Sequence, residues 1–179
     1  MTMSMTERPV GAKKFYGKYR GTVVNNVDPM QIGRIQAMVP DVAGFIPSSW
    51  AMPCMPVAGV NMGVFTVPPI GSGVWIEFER GDPDYPIWVG GFWGSAAETP
   101  VLSHAVPPGL AGITLQTTLK NGIVISDTPG PTGGILIQTT TGAIVSVSDV
   151  GIVISNGKGA VINMTGPTTD VNLGALTIV

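Results

Sequence analysis

Hydrophobic and polar residues alternate in short segments along the chain, and no segment carries an apolar stripe at the 3.6-residue spacing of a helix. Residues 73–79 place Val74, Ile76 and Phe78 on one face of a strand, and amphipathic or charged side chains on the other. A Gly-Asp-Pro turn follows, and residues 85–91 again have the composition of a strand. These two segments predict a β-hairpin.

Two further strands are predicted earlier, at residues 19–24 and 33–39, with an Asn-Asn-Val-Asp-Pro loop between them. Prolines throughout this half would break most helices. Short strands joined by loops fit a small closed barrel, so the first half is predicted to be an OB-fold domain.

The second half repeats one pattern, in which a glycine is followed by apolar residues and then by a polar one. The glycines recur about every 8 to 12 residues, a spacing typical of short strands joined by tight turns. The six segments are residues 112–116, 122–126, 134–138, 142–146, 151–155 and 159–163. They predict a β-meander of roughly seven strands, counting the chain beyond the last repeat.

Such a meander buries little surface by itself and leaves its edges unpaired. Three identical meanders around one axis would enclose a continuous Ile, Val and Leu interior, and would leave Thr, Ser, Gln and Asn facing solvent. Roughly seven layers at about 4.8 Å give a rod of roughly 30 to 35 Å. The second half is therefore predicted to be a needle built by a homotrimer.

Composition divides the chain at the same place. Every aromatic residue lies within the first 93 positions, and charged residues are sparse after position 101. A Pro- and Gly-rich stretch between the halves predicts an extended linker. The predicted organisation is a flexible N-terminal arm (1–14), an OB-fold domain (15–94), a linker (95–110) and a trimeric β-helix (111–179).

Charge and hydrophobicity exclude several classes of protein. Of the 179 residues 44% are apolar and 11% are charged, which is unlike a disordered chain. The long uncharged stretch at residues 42–76 is broken by prolines and glycines, so no transmembrane helix is predicted. A net charge of -2 and one small basic cluster argue against a nucleic-acid partner. The N-terminus lacks the pattern of a signal peptide.

Catalytic chemistry is not indicated. His104 is the single histidine, so one chain can build neither a Ser-His-Asp triad nor a multi-histidine metal site. Glu77 and Glu79 lie on the polar face of one strand without a facing carboxylate pair. The lone Cys54 has the character of a buried small hydrophobe. We expect no enzyme activity, cofactor or metal.

Two binding functions are alternatives. Thr-rich segments at residues 116–118 and 138–141 permit an ice-binding ladder, although their spacing is irregular. The four tryptophans could line a glycan-binding face of the barrel, although such residues commonly build a core. The alternative hypothesis is a freestanding β-rich protein that binds glycan or ice.

An ordered series of motifs in the first half resembles the OB-fold domain of the phage baseplate assembly protein V and VgrG spike family. Its main segments are Gly33-Arg34-Ile35-Gln36, Pro68-Pro69-Ile70-Gly71, Val74-Trp75-Ile76-Glu77-Phe78, Gly81-Asp82-Pro83-Asp84-Tyr85-Pro86 and Val89-Gly90-Gly91. The motif positions that we single out as structural are Gly33, Arg34, Pro69, Gly71, Gly81, Asp82, Pro83, Pro86 and Gly90. The Gly-rich repeats that follow resemble the intertwined trimeric β-helix of the same family.

The resemblance implies a homotrimeric central spike of a contractile phage tail or a related injection particle. Its barrels would dock on a hub protein at the end of the tail tube. The particle would assemble in the cytoplasm, and the needle would contact the target membrane only on injection. The basic residues 13–20 are either a hub contact or a solvated tail.

The chain also departs from some members of that family. The linker is too short for the lysozyme domain that some carry, and no histidine follows His104 to hold an iron at the tip. The C-terminus is apolar and would need a cap. We expect a separate tip protein of the PAAR type to contact Ala175, Leu176, Thr177, Ile178 and Val179.

Overall fold

The computed structural model describes residues 13–178 and consists mainly of β-strands, as predicted. Contacts divide the chain into two compact units, Met1–Ala96 and Ala97–Val179. The predicted N-terminal arm falls almost entirely on residues 1–12, outside the described part.

The first unit contains a five-stranded sheet, a small hairpin, one turn of α-helix and the 3-10 helix Glu79–Gly81. The strands are β1 (Tyr19–Asn25), β2 (Gln36–Met38), β3 (Met52–Pro53), β4 (Ala58–Gly59), β5 (Met62–Gly63), β6 (Gly73–Phe78) and β7 (Pro86–Phe92). The sheet has the order β2-β1-β6-β7-β3, and β4 pairs with β5 separately. The helix α1 is Pro40–Ala43, where the proline occupies a first-turn position that needs no N–H donor. The predicted hairpin of β6 and β7 is confirmed, with Val74, Ile76 and Phe78 buried on one face.

Backbone hydrogen bonds between Ile35 and Ala51 close the sheet into a barrel. The Ile35 N–H donates to the Ala51 carbonyl at 3.2 Å, and the Ala51 N–H donates to the Ile35 carbonyl at 2.7 Å. This pair joins the segment entering β2 to the segment entering β3, which are the two ends of the sheet order. The barrel interior holds Phe15, Val23, Ile35, Ala37, Val39, Ala51, Val74, Ile76, Phe78 and Trp88.

A partly buried ion pair organises the loop between β1 and β2. The Arg34 guanidinium donates to the Asp28 carboxylate with Nη2 at 2.6 Å and Nε at 3.0 Å. The same carboxylate accepts the backbone N–H groups of Met30, Ile32 and Arg34. Chiefly Arg34, and then these N–H groups, hold the pKa of the Asp28 carboxyl well below its ordinary value of 3.8, against the opposing effect of burial. The Arg34 guanidinium also lies over the Trp50 ring, 5.3 Å from its centroid.

The second unit is a continuous antiparallel meander of eight strands, close to the roughly seven predicted. The strands are β8 (Gly112–Gln116), β9 (Gly122–Ser126), β10 (Gly134–Gln138), β11 (Ile144–Ser148), β12 (Gly151–Ser155), β13 (Val161–Thr165), β14 (Thr168–Val171) and β15 (Leu176–Ile178). Each pairs with its neighbours in sequence. The repeat pattern located four strands exactly as found, placed β11 and β13 two residues early, and did not mark β14 or β15.

The residues predicted as an extended linker contain two short 3-10 helices, Ala96–Glu98 and Val101–Ala105. In the second helix the Ser103 N–H and hydroxyl both donate to the Pro100 carbonyl, at 3.0 and 2.6 Å. This local bonding turns the chain where the proline content alone suggested extension.

Replacing Asp28 by asparagine tests the ion pair. The Asp28→Asn variant would leave the partly buried Arg34 charge without its partner, so it should unfold at a lower temperature than wild type near pH 7. Because the ionised carboxylate stabilises the fold, its contribution is complete above pH 3.8 and is lost as the pH falls through the lowered pKa. Wild type should therefore lose stability in acid more steeply than the variant does.

Thermal unfolding followed by circular dichroism between pH 7 and pH 2 measures both effects. The exposed Asp41, replaced by asparagine, is the matched control. Equal midpoints for the two variants at pH 7 would contradict the structural role of Asp28.

Candidate trimerisation surface

One face of the eight-stranded sheet carries two columns of apolar side chains, which we call the apolar ladder. The strand register aligns them from one strand to the next across the whole sheet. One column is Ile113, Ile125, Ile135, Val147, Ile152, Met164, Thr169 and Ile178. The other is Leu115, Ile123, Ile137, Val145, Ile154, Ile162, Val171 and Leu176. Apart from Thr169, every position of the ladder is apolar.

The described part of the chain leaves the ladder largely uncovered. Leu115 is 64% exposed at one end of the sheet, Ile137 is 45% exposed in the middle, and Ile178 is 58% exposed at the other end. Single exposed apolar residues are ordinary, but a contiguous face of this length marks a surface that binds another molecule.

The opposite face differs in composition and is partly covered by its own chain. Its central column runs through Thr114, Ser146, Asn163 and Asp170, with some aliphatic residues between them. At the start of the sheet, the 3-10 helix Val101–Ala105 packs on β8 and β9. This face is therefore the one suited to solvent.

Leu102 shows on which side that helix lies. A side chain at Gly122 would meet the Leu102 Cδ1 atom at 2.6 Å, and the Leu102 N–H donates to the Gln116 Oε1 atom at 2.9 Å. Gly122 and Gln116 belong to the face opposite the ladder, where Val124 is only 5% exposed. The sequence patterns did not reveal this packing, because Leu102 lies outside the glycine repeats.

Glycine is required at the start of β10. Gly134 has a φ of 77°, and a Cβ atom there would lie 2.0 Å from the Val147 carbonyl oxygen on the neighbouring strand. A larger residue would separate β10 from β11, so this repeat glycine allows the close approach that keeps the ladder continuous.

Side chains in the turns link successive hairpins along one edge of the sheet. The Thr140 N–H donates to the Asn121 Oδ1 atom at 3.0 Å, and the Thr140 hydroxyl donates to the Leu119 carbonyl. Farther along, the Val161 N–H donates to the Asn172 Oδ1 atom at 3.0 Å, and the Asn172 N–H donates to the Val161 carbonyl at 2.8 Å. Successive hairpins thus bond to one another in the described residues. The Thr-rich segments there form turns and not a flat threonine ladder.

The motif positions singled out in the barrel lie at its turns and loops. The Gly33 carbonyl accepts the indole N–H of Trp88 at 3.0 Å, and Arg34 forms the ion pair with Asp28. The Pro69 carbonyl accepts the Ser72 N–H at 3.1 Å, and the Gly71 N–H donates to the Val23 carbonyl at 2.8 Å. These four positions tie loops to the barrel wall.

The other five motif positions surround the hairpin of β6 and β7. The Gly81 carbonyl accepts the Phe15 N–H at 2.8 Å, and the Asp82 Oδ1 atom accepts the Asp84 N–H at 3.1 Å. Pro83 is half-buried next to this turn, and Pro86 is fully buried at the start of β7. Gly90 has a φ of 146° at the irregularity where β7 pairs with β6.

The residues considered above for catalysis or metal binding, and the lone cysteine, have the following surroundings. The His104 side chain is exposed on the 3-10 helix Val101–Ala105, and its Nε2 atom lies 2.8 Å from the Thr99 hydroxyl. Glu77 pairs with Lys18 on the outside of the barrel. Cys54 is exposed, so the expectation that this lone cysteine is buried was wrong. It follows the short strand β3 at the end of the sheet, where its N–H donates to the Trp88 carbonyl.

A small closed barrel followed by a meander with an uncovered apolar face defines a structural protein that assembles with copies of itself. Residues 19–93 match the family model of the type VI secretion system/phage-baseplate injector OB domain. Residues 112–177 match that of the phage baseplate V C-terminal trimerisation domain. No curated protein matches the chain significantly in sequence.

The two matches together span most of the chain, which belongs to the phage baseplate V family of VgrG-like spike proteins. The predicted OB domain and homotrimer are thereby confirmed, and both matched families are structural baseplate components. The winding of three meanders into a β-helix stays a prediction. Within residues 13–178, no helix has the length and apolar character needed to cross a membrane.

A charge placed on the ladder should prevent trimer formation. In the Ile154→Asp variant, three carboxylates would be buried together at one level of the trimer interior, away from water. We expect loss of the trimer in size-exclusion chromatography with light scattering, and loss of any SDS-resistant band on an unboiled gel.

The matched control is Ser146→Asp, at the centre of the opposite face on the adjacent strand. A carboxylate is already present in that column at Asp170, so this variant should remain trimeric. Trimers of equal stability for both variants would show that the ladder is not the interface.

Proposed function

We propose that the trimer is the central spike of a contractile phage tail or phage-tail-like injection particle. It docks through its barrels on the hub protein at the end of the tube and pierces the target envelope mechanically. The apolar ladder carries this proposal, because it supplies each chain with an interface along the full length of the meander.

The hydrogen-bond direction suits a load-bearing needle. Inter-strand hydrogen bonds of an antiparallel sheet run perpendicular to the strands, and in this meander they connect β8 to β15 in sequence. With the strands stacked along the spike axis, a force on the tip compresses this series of bonds. The Asn121 and Asn172 contacts between hairpins add further links in the same direction.

The freestanding glycan- or ice-binding hypothesis has less support. Trp88 lies in the barrel core, Trp50 lies under the Arg34 guanidinium, and Trp75 packs against Phe92 with ring centroids 4.9 Å apart. The exposed columns of the sheet are Ile-rich, unlike a threonine ladder. Of the four tryptophans, Trp93 is the one that is mostly exposed, at 63%.

For hub docking we assign the hairpin of β4 and β5 together with Phe65. Val60 is 94% exposed, and Met62 and Phe65 are each about two-thirds exposed. No charged residue occurs between Asp41 and Glu77, so the hairpin offers a partner an uncharged apolar surface. The Phe65 ring lies over Gly33, where a Cβ atom would be 3.4 Å away, so this surface is anchored on the loop that the Asp28–Arg34 pair organises.

A charge on the hairpin should weaken hub binding without affecting the spike. Because the partner surface would have to desolvate the new carboxylate, Met62→Asp should reduce co-purification of the hub protein with the spike at least tenfold. Phe45→Asp, on another exposed apolar loop of the barrel, is the control. Both variants should remain trimeric. Equal hub recovery for the two would place the docking surface elsewhere.

At the other end, we propose that a PAAR-type tip protein covers residues 175–179, of which Val179 lies outside the described part. β15 is the last strand in the sheet order, so one side of its backbone has no strand partner within the described chain. Leu176 and Ile178 are both more than half exposed. A cap would cover both the strand edge and these side chains.

Deleting residues 175–179 should release the tip protein while leaving the trimer intact, because the seven preceding strands keep most of the ladder. Quantitative co-purification from assembled spikes measures the loss. The control is Leu119→Ser in the β8–β9 turn, which removes a 70% exposed apolar residue at the other end of the sheet. Undiminished tip protein on the truncated spike would overturn this assignment.

A further inference from the structure

Thr169 is the one polar residue in the apolar ladder. It lies on β14 opposite Met164 of β13 and Ile178 of β15, and the second column passes beside it through Val171. No hydrogen bond joins its hydroxyl to another of the residues that the structure describes. In the trimer this hydroxyl lies within the shared interior, where a polar group without a partner is unfavourable.

The rest of the ladder does not define how far the three chains are displaced along their common axis. From β8 to β13 both columns contain only Ile, Val, Leu and Met. A chain that slid by one hairpin, about 10 Å at two strand spacings, would still place apolar side chains against apolar side chains. Uniform apolar interfaces of this kind leave register weakly specified.

Threefold symmetry brings the three Thr169 hydroxyls to one level around the axis. A hydroxyl can donate one hydrogen bond and accept another, so three of them can close a ring in which each donates to the next, directly or through water between them. A displaced chain would break the ring and leave its hydroxyl against Ile or Met side chains. The interaction is therefore available in only one register.

We propose that Thr169 sets the axial register of the trimer through this ring of hydroxyls. Its place on the penultimate strand brings the three copies of β15 to the same level. The three C-termini then form one symmetric end surface. The proposal depends on the homotrimer, and on neither hub docking nor the tip protein.

The test compares Thr169→Val with Thr168→Val in the full chain. Valine keeps the shape of threonine and removes the hydroxyl, and Thr168 lies on the same strand but on the opposite face. In a Cys54→Ser background, a nitroxide label is attached to the cysteine of Ser146→Cys on that opposite face. Pulsed electron–electron double resonance then measures the distances between the three labels.

The parent protein and Thr168→Val should each give a single distance, as three labels in one register form an equilateral triangle. Thr169→Val should add a second, longer distance from chains displaced by about 10 Å. Thr169→Ser, which keeps the hydroxyl, should restore the single distance. A single unchanged distance in Thr169→Val would overturn the proposal.

If a variant does not assemble, trimer formation is itself the measurement. Loss of the trimer in Thr169→Val but not in Thr169→Ser would support a hydroxyl contact between chains. Its loss in both would overturn the proposal, because shape and not hydrogen bonding would then be the requirement.

Discussion

A single-layered sheet must cover its apolar face with something other than itself. In this protein the second unit has one antiparallel layer, and its side chains alternate so that one face is almost entirely Ile, Val and Leu. The 3-10 helix of residues 101–105 lies on the opposite face, so among the described residues this helix does not cover the ladder. Further copies can cover it, and the match to a trimerisation domain indicates that three chains assemble. The scarcity of charge in this half follows from the same requirement, since charges in a shared interior would be costly.

The barrel solves the same problem within one chain. Its sheet curves until Ile35 and Ala51 pair across the gap, and aromatic and aliphatic side chains then fill a single interior. The loop that brings Ile35 into place is held by Asp28, whose carboxylate binds Arg34 and three backbone N–H groups. The first unit thus depends on one partly buried polar cluster, whereas the second depends on repetition and symmetry.

Local patterns in the sequence predicted those parts of the fold that local forces determine. Alternation at Val74, Ile76 and Phe78 predicted β6 and its partner, and glycine spacing predicted most of the meander. The errors also have physical reasons. Gly142 and Gly159 have φ values of 88° and 105° and belong to turns, so the strands after them begin two residues later than predicted.

Some features depend on partners that the sequence pattern does not show: the strands β14 and β15, and the contacts of Asp28 and Leu102. The sequence of β14 is Thr-Thr-Asp-Val, without the leading glycine of the repeats. It forms a strand by pairing with β13. The ladder itself could be predicted as an apolar face, but its register could not, because alternation allows any even shift between strands. Only the observed pairing places Thr169 among apolar neighbours.

That placement connects stability with function. In the proposed piercing role the three chains need to end at the same level, because a chain displaced by one hairpin would extend past the other two. Repetitive apolar contacts along the meander do not distinguish one level from the next. A polar position in the interior does, at some cost in stability, and it is most useful near the end where alignment matters. Thr169 lies on the penultimate strand, next to that end.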